Sequence, residues 1–565
     1  MKLPTGRQMS NIDLTTISEY QMPSILLMEN AGRNIADNII FDYPEIIKSK
    51  PVILVGPGNN GGDALVISRQ FRLKNIDSIC VFLVTPDRLR GDAGINYTIH
   101  KNLMISSRNC LVNNFDDWNR IKNELFFSPY FIDGIFGTGF EGKVTGLFES
   151  VIESINTGYY GTVLSIDVPS GLICEDTTQN STIIKANKTY SVGLPKLGMV
   201  DYPGKEFCNE ISIVSIGFPE QLLNSDEIKT GVITFNDALK MMPERKENTH
   251  KGNFGHVLVI AGSEKYHGAA HLTSKAAFSS GAGLVTLASV YPVCQTLKSK
   301  DDAIITIPLN SNEKSENTEK DYLKIILENF SIMEKEIGKY NSCVIGPGLG
   351  QSDKTFEFIK LIIKEYSGKL VLDADALNMI SKDLSILKNT KAKIVITPHI
   401  FEFSRLSGKS VDEIKNSKVK ISTDFAKENN VVLILKDSVT LITDGENTFY
   451  NSTGNSGLAR GGSGDVLAGM VSGFLARDMD VLKAPLFAVF LHGYIADLLA
   501  SEIGKEGISP SLLIENIYRG FISLSNSILR EKPGKNKKHR FFIHPAENIL
   551  TNYVKIENDL YEDIS

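Results

Sequence analysis

The chain has 565 residues, of which 42% are hydrophobic and 22% are charged. This length is too great for a single hydrophobic core, so we expect two or more domains with the composition of an ordinary globular protein. The formal net charge of −6 gives no reason to expect a nucleic acid or an anionic membrane as a partner.

Neither the cysteines nor the apolar segments indicate secretion or membrane insertion. The 6 cysteines are scattered and include no CxxC pair, which favours free, buried thiols in a reducing compartment. The N-terminal residues MKLPTGRQMSNID lack the apolar core of a signal peptide. The longest apolar run, residues 484–500, contains His492 and Asp497, which predicts a buried helix and not a membrane span. We therefore expect a cytoplasmic protein.

The first half begins with apolar residues at helical spacing over residues 12–40. A continuous apolar run at residues 52–55 then predicts a buried strand, and the loop GPGNNGGD leads from it into another helical pattern. This geometry is typical of a phosphate-binding turn in an α/β sheet, although the P-loop and GxGxxG patterns are both absent. Asn59 and Asn60 either adopt left-handed turn conformations or offer amide oxygens to a ligand or a hard cation. Asp63 either caps the following helix or binds a ribose hydroxyl.

Further apolar runs at residues 81–84, 131–133 and 163–168 predict more strands, and the last two lead into the turns DGIFGTG and DVPSG. Together with GPGNNGGD, these turns place polar residues after three strands. Because ligands bind at the carboxyl ends of parallel strands, the three turns predict one shared site.

Six segments over residues 1–220 resemble the NAD(P)H-hydrate epimerase domain: QMSNID, LLMENAG, GPGNNGGD, DGIFGTGFEG, SIDVPSG and KANKTYSVGLPKLG. The resemblance implies that Asp167 contacts the hydrated nicotinamide and is the catalytic residue. It implies that Asn60, Asp133 and Ser170 line a potassium site, which suits their oxygen ligands. The implied substrate contacts are Asn59, Asn60, Gly61, Gly62, Asp63, Gly137, Thr138, Gly139, Phe140, Glu141, Gly142, Lys143 and Asp167. Lys196 matches a lysine of the family pattern, but a surface lysine is the favoured interpretation.

The second half is separated from the first by a polar segment between residues 217 and 231. We place the domain boundary there, with domains at 1–220 and 231–530 and an unassigned tail at 531–565. Strand-like runs then alternate with helical patterns: 257–261, 284–288, 344–345, 370–372, 394–396 and 431–435. This alternation predicts a second doubly wound α/β domain with a parallel sheet. We expect the polar segment 310–320 to be an exposed loop and the end of the tail to dock as a short helix or strand.

Polar residues again follow several of these strands. GPGLG follows the run at 344–345, and Asp373, Asp375, His399 and Lys436 follow the next three runs. Each of the two acids alone is best explained as a helix cap, although together they can hold a magnesium–nucleotide complex. A lone histidine is most often a satisfied polar group, whereas the lysine ammonium can meet a nucleotide phosphate.

The strongest signal in the second half is the loop GGSGD at residues 461–465, which runs into a helical pattern. Its glycines let the unpaired N–H groups of a helix N-terminus approach a phosphate. Asp465 is unexpected there, because a carboxylate repels a phosphate. It either caps the helix or removes a proton from a hydroxyl that attacks a terminal phosphate, and the loop alone favours neither role.

A second set of segments, over residues 231–528, resembles the NAD(P)H-hydrate dehydratase domain, which has a ribokinase-like fold: GNFGHVLVIAGS, YHGAAHL, GAGLVTLAS, IGPGLG, LDADALN, TPHIFE, LKDSVTLITDG and GNSGLARGGSGDVLAG. The resemblance implies that Asp465 lies beside the hydroxyl of the hydrate. The implied substrate contacts are Ala277, Gly348, His399 and Asp465, and the implied nucleotide contacts are Lys436, Asp437, Ser438, Val439, Thr440 and Gly464. Asp437 and Phe401 stand where the family has glycines. The added charge of Asp437 must point away from the nucleotide, or binding is weakened.

The sequence therefore predicts an α/β protein of two doubly wound domains, an N-terminal Rossmann-like epimerase domain and a C-terminal ribokinase-like domain. The predicted function is repair of hydrated NADH and NADPH: the first domain interconverts the R and S hydrates, and the second dehydrates the S form using ADP or, less favoured, ATP. The resemblance implies potassium in the first domain and magnesium with ADP or ATP in the second. We expect a homo-oligomer with neither a nucleic acid nor a membrane as partner. The alternative is a ribokinase-like vitamin or sugar kinase fused to a non-catalytic ligand-binding domain.

Overall fold

The computed structural model describes residues 1–103, 108–177, 179, 181–309, 328–334, 337–530 and 542–543. The chain folds into two compact units, of which the first contains residues 1–231 and the strand at 542–543, and the second begins at Val232. The loop predicted at 310–320 and most of the tail lie outside the described residues.

A parallel β-sheet forms the centre of the first unit. Its strands are β1 (Val52–Val55), β2 (Ile79–Phe82), β3 (Arg108–Leu111), β4 (Tyr130–Gly134), β5 (Thr162–Ile166), β6 (Lys188–Val192) and β7 (Glu210–Val214). They lie side by side in the order β7-β6-β5-β4-β1-β2-β3, and every neighbouring pair is parallel. The α-helices of this unit are Gly6–Ser18, Ser24–Asp42, Asn59–Leu73, Gly91–Leu103, Phe115–Leu125, Gly146–Gly158, Gly204–Cys208 and Glu220–Leu223.

Helices cover both faces of this sheet. Successive residues of a strand point to opposite sides, and the apolar side chains on both sides must be buried. Ile53 and Val55 pack in one buried cluster, whereas Val52 and Leu54 pack with Trp118 in another. A strand buried on both faces has no polar side, which explains the continuous apolar run at this strand.

The second unit is built on a larger sheet. Its strands are β8 (Thr230–Ile233), β9 (His256–Ile260), β10 (Leu284–Val290), β11 (Ile305–Leu309), β12 (Ser342–Ile345), β13 (Lys369–Leu372), β14 (Lys393–Ile396), β15 (Val431–Leu435), β16 (Leu441–Thr443) and β17 (Thr448–Asn451). Their order is β11-β10-β9-β12-β13-β14-β15-β16-β17-β8. The strands from β11 to β15 are parallel, and the pairs β15–β16 and β16–β17 are antiparallel.

The α-helices of the second unit are Phe235–Met241, His267–Ser279, Tyr291–Lys298, Asp353–Glu365, Asp375–Ile380, Ser385–Lys388, Ile400–Ser407, Val411–Asn416, Lys418–Asn429, Ser463–Ala476, Lys483–Ile503, Pro510–Glu515 and Ile517–Arg530. Helices His267–Ser279 and Ser463–Ala476 pack closely because a residue without a side chain lies between them. A Cβ added to Gly469 would lie 2.3 Å from the carbonyl oxygen of Thr273. Any side chain there would push the two helices apart.

Helix Lys483–Ile503 is the long apolar run noted in the sequence. Within the described residues it alone is long and apolar enough to cross a membrane, yet 72% of its most apolar window is buried inside the protein. The prediction of a buried helix is therefore confirmed. The predicted free thiols are also confirmed, because no cysteine forms a disulfide and only Cys110 is partly exposed.

A last strand, β18 (Phe542–Ile543), pairs antiparallel with β7 and completes an 8-stranded sheet. The end of the tail, which was expected to dock as a short helix or strand, lies outside the described residues. Both units are α/β structures on predominantly parallel sheets with helices on their faces, which confirms the predicted fold class.

Candidate active sites

The first unit contains a cavity of about 640 Å³ at the carboxyl ends of its central strands. The loops after β1, β4 and β5 contribute to its wall, so the three polar turns do meet at one place. Many of the residues predicted to contact a substrate line it: Asn59, Asn60, Asp63, Gly137, Thr138, Gly139, Phe140, Glu141 and Asp167.

The other predicted contacts in this unit are not part of the cavity wall: Gly61, Gly62, Gly142 and Lys143. A Cβ added to Gly61 would lie 2.2 Å from the carbonyl oxygen of Gly56, and one added to Gly62 would lie 2.7 Å from the sulfur of Met28. These two glycines therefore permit close packing of their helix and do not face a ligand. The other two residues lie in an exposed turn beyond the wall.

Asp167 follows β5 with a left-handed backbone (φ 64°), a conformation that residues other than glycine rarely adopt. Its carboxylate accepts hydrogen bonds from the Thr138 amide (3.2 Å), from the Thr138 hydroxyl and from the Val192 amide (3.1 Å). The loop after β4 and the last residue of β6 thus hold this side chain in place at the cavity.

Lys196 is the partner of Asp167. Its ammonium forms an ion pair with that carboxylate and donates to the Ser191 hydroxyl (3.0 Å) and the Val192 carbonyl (2.9 Å). The lysine side chain is 0% exposed, so its interpretation as a surface lysine is wrong. Burial alone would raise the pKa of Asp167, but the Lys196 charge and the hydrogen bonds outweigh burial and lower the pKa. Asp167 is therefore held as a carboxylate.

The residues predicted to hold potassium lie together. The buried Asp133 carboxylate accepts hydrogen bonds from the Ser165 hydroxyl (2.9 Å) and the Ser170 amide (2.8 Å). Both Asn60 (2.8 Å) and the Ser170 hydroxyl (3.3 Å) bond the carbonyl oxygen of Phe136.

These residues offer oxygen atoms around one buried carboxylate. Burial raises the pKa of Asp133, and no lysine or arginine of the described residues pairs with it. Amide and hydroxyl groups donate to the Asp133 carboxylate, and the Phe136 carbonyl oxygen lies beside Asn60 and Ser170. Oxygen atoms of these kinds are the ligands that a hard cation takes. The described residues contain no group of three or more His, Cys, Asp or Glu side chains that could hold a metal ion, so a cation here would depend on these other oxygens.

A second set of charged residues meets at the edge of the sheet in the second unit. Strands β13, β14 and β15 are neighbours and parallel, so Asp373, His399 and Lys436, which follow them, lie side by side. The Lys436 ammonium donates to Asp373 (2.8 Å), and the Thr397 hydroxyl donates to the same oxygen (2.7 Å). The following helix has Ala374 as its N-cap and no side-chain cap, so the interpretation of Asp373 as a cap is wrong.

Asp375 holds the glycine-rich turn that follows β12. Its carboxylate accepts hydrogen bonds from the Gly350 amide (2.8 Å) and the Gln351 side chain (2.9 Å). The capping interpretation is therefore wrong for this acid as well. In the same turn, a Cβ added to Gly348 would lie 2.7 Å from that of Tyr266, which places the predicted substrate contact beside an aromatic residue that is 48% exposed.

Helix Ser463–Ala476 begins at the predicted phosphate loop. Its N-cap is Gly462 with a left-handed backbone (φ 97°), and no side chain caps the helix. The Ser463 N–H donates to the Arg460 carbonyl (3.2 Å), and the N–H groups of Gly464 and Asp465 remain available to an anion. A Cβ added to Gly464 would lie 3.4 Å from the Lys436 nitrogen, so the lysine ammonium stands beside this helix N-terminus.

Asp465 lies in the first turn of the same helix. Its carboxyl group forms no hydrogen bond with a described residue, which argues against the capping role left open by the sequence. Burial raises its pKa to about 7, with a further contribution from Asp373, while the Lys436 charge acts in the opposite direction. Such a carboxyl group can accept a proton at neutral pH.

His399 caps the helix that it precedes. Its Nδ1 atom accepts hydrogen bonds from the amides of Phe401 (3.2 Å) and Glu402 (3.2 Å), so the other ring nitrogen carries the proton. Burial and the Lys436 charge lower its pKa, which keeps the ring neutral. Phe401 is 61% exposed and stands edge-on to the imidazole at 6.0 Å between ring centroids.

The predicted nucleotide contacts beyond Lys436 and Gly464 follow β15 in one turn: Asp437, Ser438, Val439 and Thr440. Asp437 forms an ion pair with Lys418 (3.0 Å), whose side chain is 5% exposed. The added acid is thus neutralised by a buried lysine, and Val439 is buried at 4% exposure.

Ala277 is not brought to this site. It is 0% exposed and lies in the hydrophobic core. A Cβ added to Gly473 would lie 2.7 Å from the carbonyl oxygen of Ala277, so the alanine packs against helix Ser463–Ala476.

Two protein families match this chain. The YjeF-related protein N-terminus family matches residues 24–198, and the NAD(P)H-hydrate dehydratase family matches residues 257–519. Bifunctional NAD(P)H-hydrate repair enzymes from Moorella thermoacetica and Thermofilum pendens are 32% and 30% identical to it over 518 and 529 residues. These alignments cover 91% and 93% of this chain and 96% and 97% of those relatives. The chain belongs to the bifunctional NAD(P)H-hydrate repair enzyme family.

Solved structures also resemble this member of the repair enzyme family. One is the ADP/ATP-dependent NAD(P)H-hydrate dehydratase from Bacillus subtilis, co-crystallized with ATP/Mg2+, which is 26% identical to this chain with a TM-score of 0.45. The match covers 52% of this chain and 98% of that structure. Family membership does not favour the alternative of a vitamin or sugar kinase fused to a non-catalytic domain.

Sequence reasoning missed several charged residues at the two sites of this repair enzyme. Asp13 and Asp92 line the first cavity, and Lys418 holds Asp437 in the second unit. A signal was present for Asp13, which lies within the motif QMSNID. A signal was also present for Lys418. Asp437 stands where the resemblance implies glycine, and an acid added beside a predicted nucleotide contact requires a compensating cation.

Proposed function

We propose that this chain repairs hydrated nicotinamide cofactors. The first unit interconverts the R and S hydrates of NADH and NADPH, and the second unit dehydrates the S form with the phosphoryl group of ADP or, less favoured, ATP. The observation that carries this proposal is an unbonded carboxyl group, Asp465, at an uncapped helix N-terminus beside Lys436. It occurs in a chain that aligns with a bifunctional repair enzyme over 91% of its length.

In the second unit, Asp465 removes the proton from the hydroxyl on C6 of the hydrated ring. The oxygen attacks the terminal phosphorus of the nucleotide, and the bond between that phosphorus and the bridging oxygen breaks. The ring nitrogen then supplies an electron pair, the C6–O bond breaks, and phosphate leaves. C5 gives a proton to solvent, and the C5=C6 bond of NADH or NADPH forms. The helix N-terminus and the Lys436 ammonium stabilise the charge on the transferred phosphoryl group.

Magnesium bound with the nucleotide would neutralise phosphate charge in this site. Asp373 fits a role in holding it, because only one of its two carboxylate oxygens is bonded to described residues, to Lys436 and Thr397. The other oxygen is available to a cation or to its bound water.

In the first unit, Asp167 assists the loss and return of the hydroxyl at C6. The ion pair with Lys196 keeps this acid ionised, so it can accept a proton from an attacking water molecule. Asn60, Asp133 and Ser170 would hold potassium, whose charge would offset that of the buried carboxylate. The cation would thereby support the turn that carries the predicted substrate loop.

The test is recovery of absorbance at 340 nm from a mixture of R and S NADH hydrate with magnesium and ADP or ATP. We expect full recovery by the natural chain and none by Asp465→Asn. Asp167→Asn should rapidly recover only the S fraction, because unassisted interconversion is slow. No recovery with either nucleotide would contradict the repair function and favour a small-molecule kinase.

A further inference from the structure

Moving a hydroxyl from one face of a ring carbon to the other requires two proton transfers. The leaving oxygen must gain a proton so that it departs as water, and the water that adds to the other face must lose one. Asp167 is ionised beside Lys196 and therefore suits the second transfer. The lysine suits neither, because it already donates to Asp167, Ser191 and Val192. The site needs a further proton donor.

Asp63 occupies a suitable position. It lines the same cavity from helix Asn59–Leu73, and it forms no hydrogen bond or ion pair with any described residue. Strands β1 and β5, after which Asp63 and Asp167 follow, lie on either side of β4. Asp63 lies in the second turn of its helix and Asp167 directly after β5, and the cavity that both residues line, of about 640 Å³, leaves room for a ring.

The charges around the cavity favour a proton on Asp63. The titratable groups that reach the cavity from all surrounding elements are Asp13, Asp63, Asp92, Glu141, Asp167 and Lys196. The lysine charge is already paired with Asp167. Burial, followed by the Asp167 and Asp13 charges, raises the pKa of Asp63 well above its ordinary value. Two acids of one site whose pKa values move in opposite directions are typical of a proton donor and a proton acceptor.

We propose that Asp63 is the proton donor of the epimerase site, opposite Asp167. Asp63 protonates the C6 hydroxyl, the C6–O bond breaks with both electrons leaving on water, and the ring nitrogen lone pair forms a C6=N bond. A water molecule then attacks C6 from the other face and gives its proton to Asp167. One water leaves and one enters, and solvent returns the proton from Asp167 to Asp63. The inference rests on the proposed epimerase function.

The experiment uses the full chain carrying Asp465→Asn, so that the hydrate is not consumed. Purified R hydrate is added, and its conversion to S is followed by chromatographic separation of the two forms across a pH series. Asp63→Asn is compared with Asp63→Glu and with Asp13→Asn, which removes a different acid from the same cavity.

We expect Asp63→Asn to lower kcat by about 100-fold or more while KM changes by less than about threefold. The fall in rate at high pH, where Asp63 loses its proton, should be missing in this variant and restored in Asp63→Glu. Asp13→Asn should lower kcat by less than about tenfold. A raised KM with kcat unchanged would overturn the proposal, because Asp63 would then only bind substrate, and so would a 100-fold loss in Asp13→Asn alone. No conversion by the parent Asp465→Asn chain would overturn the epimerase function itself.

Discussion

Asp167 and Asp465, two of the three acids proposed for catalysis, each lie near a lysine, yet their charges are balanced differently. Lys196 is fully buried and its ammonium contacts Asp167 directly, so the carboxylate is stabilised in spite of burial. Lys436 instead donates to Asp373, and the negative charge of Asp373 offsets the effect of the lysine on the pKa of Asp465. The first acid is therefore ionised over the whole physiological range, whereas the second changes its charge within that range.

The dehydratase rate should follow the protonation of Asp465. As a base it must be ionised, so activity is present above a pKa of about 7 and is lost as the pH falls through that value. We expect kcat/KM for the S hydrate, at saturating ADP, to fall about tenfold for each pH unit below this midpoint.

Asp375→Asn provides the control for this pH profile. The Asp375 charge raises the pKa of Asp465, so its removal should shift the midpoint to lower pH. Titration of the nucleotide phosphates would give the same midpoint in both proteins, and that result would contradict the assignment.

The ion pair in the first unit should matter for stability as well as for catalysis. Lys196→Met leaves the Asp167 carboxylate buried without its cation, which should destabilise this unit by about 3–5 kcal/mol. Trp118 is the chain's single tryptophan and is 0% exposed within the first unit, so its fluorescence during urea unfolding follows that unit alone.

The pH dependence of this effect has a defined sign. The lowered pKa of Asp167 contributes stability above its ordinary value of 3.8 that is lost as the pH falls through the folded value. The difference between the natural chain and Lys196→Met should therefore shrink in acid. Lys101→Met, at an exposed helix position, should change stability by less than about 0.5 kcal/mol. An equal loss in both variants would contradict the buried ion pair.

The sequence could not predict the position of Lys196, because lysines are usually exposed and its partner lies 29 residues away along the chain. The two acids after β13 were misjudged for a similar reason. Asp373 is bonded by Lys436 from 63 residues away, and pairing of that kind is decided by the sheet order, which local patterns do not specify.

At the scale of elements, the buried strands were predictable and the less apolar strands were not. Runs such as VILV in β1 are buried on both faces and leave an uninterrupted apolar signal. Strand β3 lies at the sheet edge and is largely exposed, so its sequence RNCL carries no apolar run. Strand β6 has the sequence KTYSV, and its polar side chains can be buried because they form hydrogen bonds within the fold. Ala277 was misplaced because a helix of small residues gives no marker of which face meets a partner helix.

The close approach of helices His267–Ser279 and Ser463–Ala476 gives a prediction at this scale. Gly469→Ala places a Cβ 2.3 Å from the Thr273 carbonyl oxygen, and backbone cannot move aside easily. We expect the second unit to be destabilised by about 1–3 kcal/mol, measured by calorimetry, with no change in Trp118 fluorescence unfolding.

Gly268→Ala is the matched control for this helix pair. Nothing lies within 4 Å of a Cβ added to Gly268, and this residue also lies in a helix. Alanine should leave the midpoint unchanged or raise it, because alanine favours the helix. A loss of stability in both variants would show that helix contact is not the cause.

At the scale of the whole molecule, each candidate site is built from residues of one unit. The first cavity is lined by residues between 9 and 218, and the second site uses Asp373, His399, Lys436 and Asp465. Neither set of proposed catalytic residues depends on the other unit for its contacts. A cytoplasmic location and a homo-oligomeric state remain predictions.

Separate sites predict that two defective chains can complement each other. Asp167→Asn alone should recover only the S hydrate at early times, and Asp465→Asn alone should recover no NADH. An equimolar mixture should recover all of it, because the hydrate is free to diffuse between chains. The double variant is the control and should recover none. Failure of the mixture would mean that both activities must act within one chain.

The ion pair between Lys418 and Asp437 has a consequence for how these two positions can change. An acid beside the proposed nucleotide site would weaken binding on its own, and a buried lysine without an acid would be unstable on its own. Each of the two residues is therefore tolerated only where the other is present, at 3.0 Å from it. Replacing Lys418 alone should therefore weaken nucleotide binding more than replacing both residues does, measured on this chain.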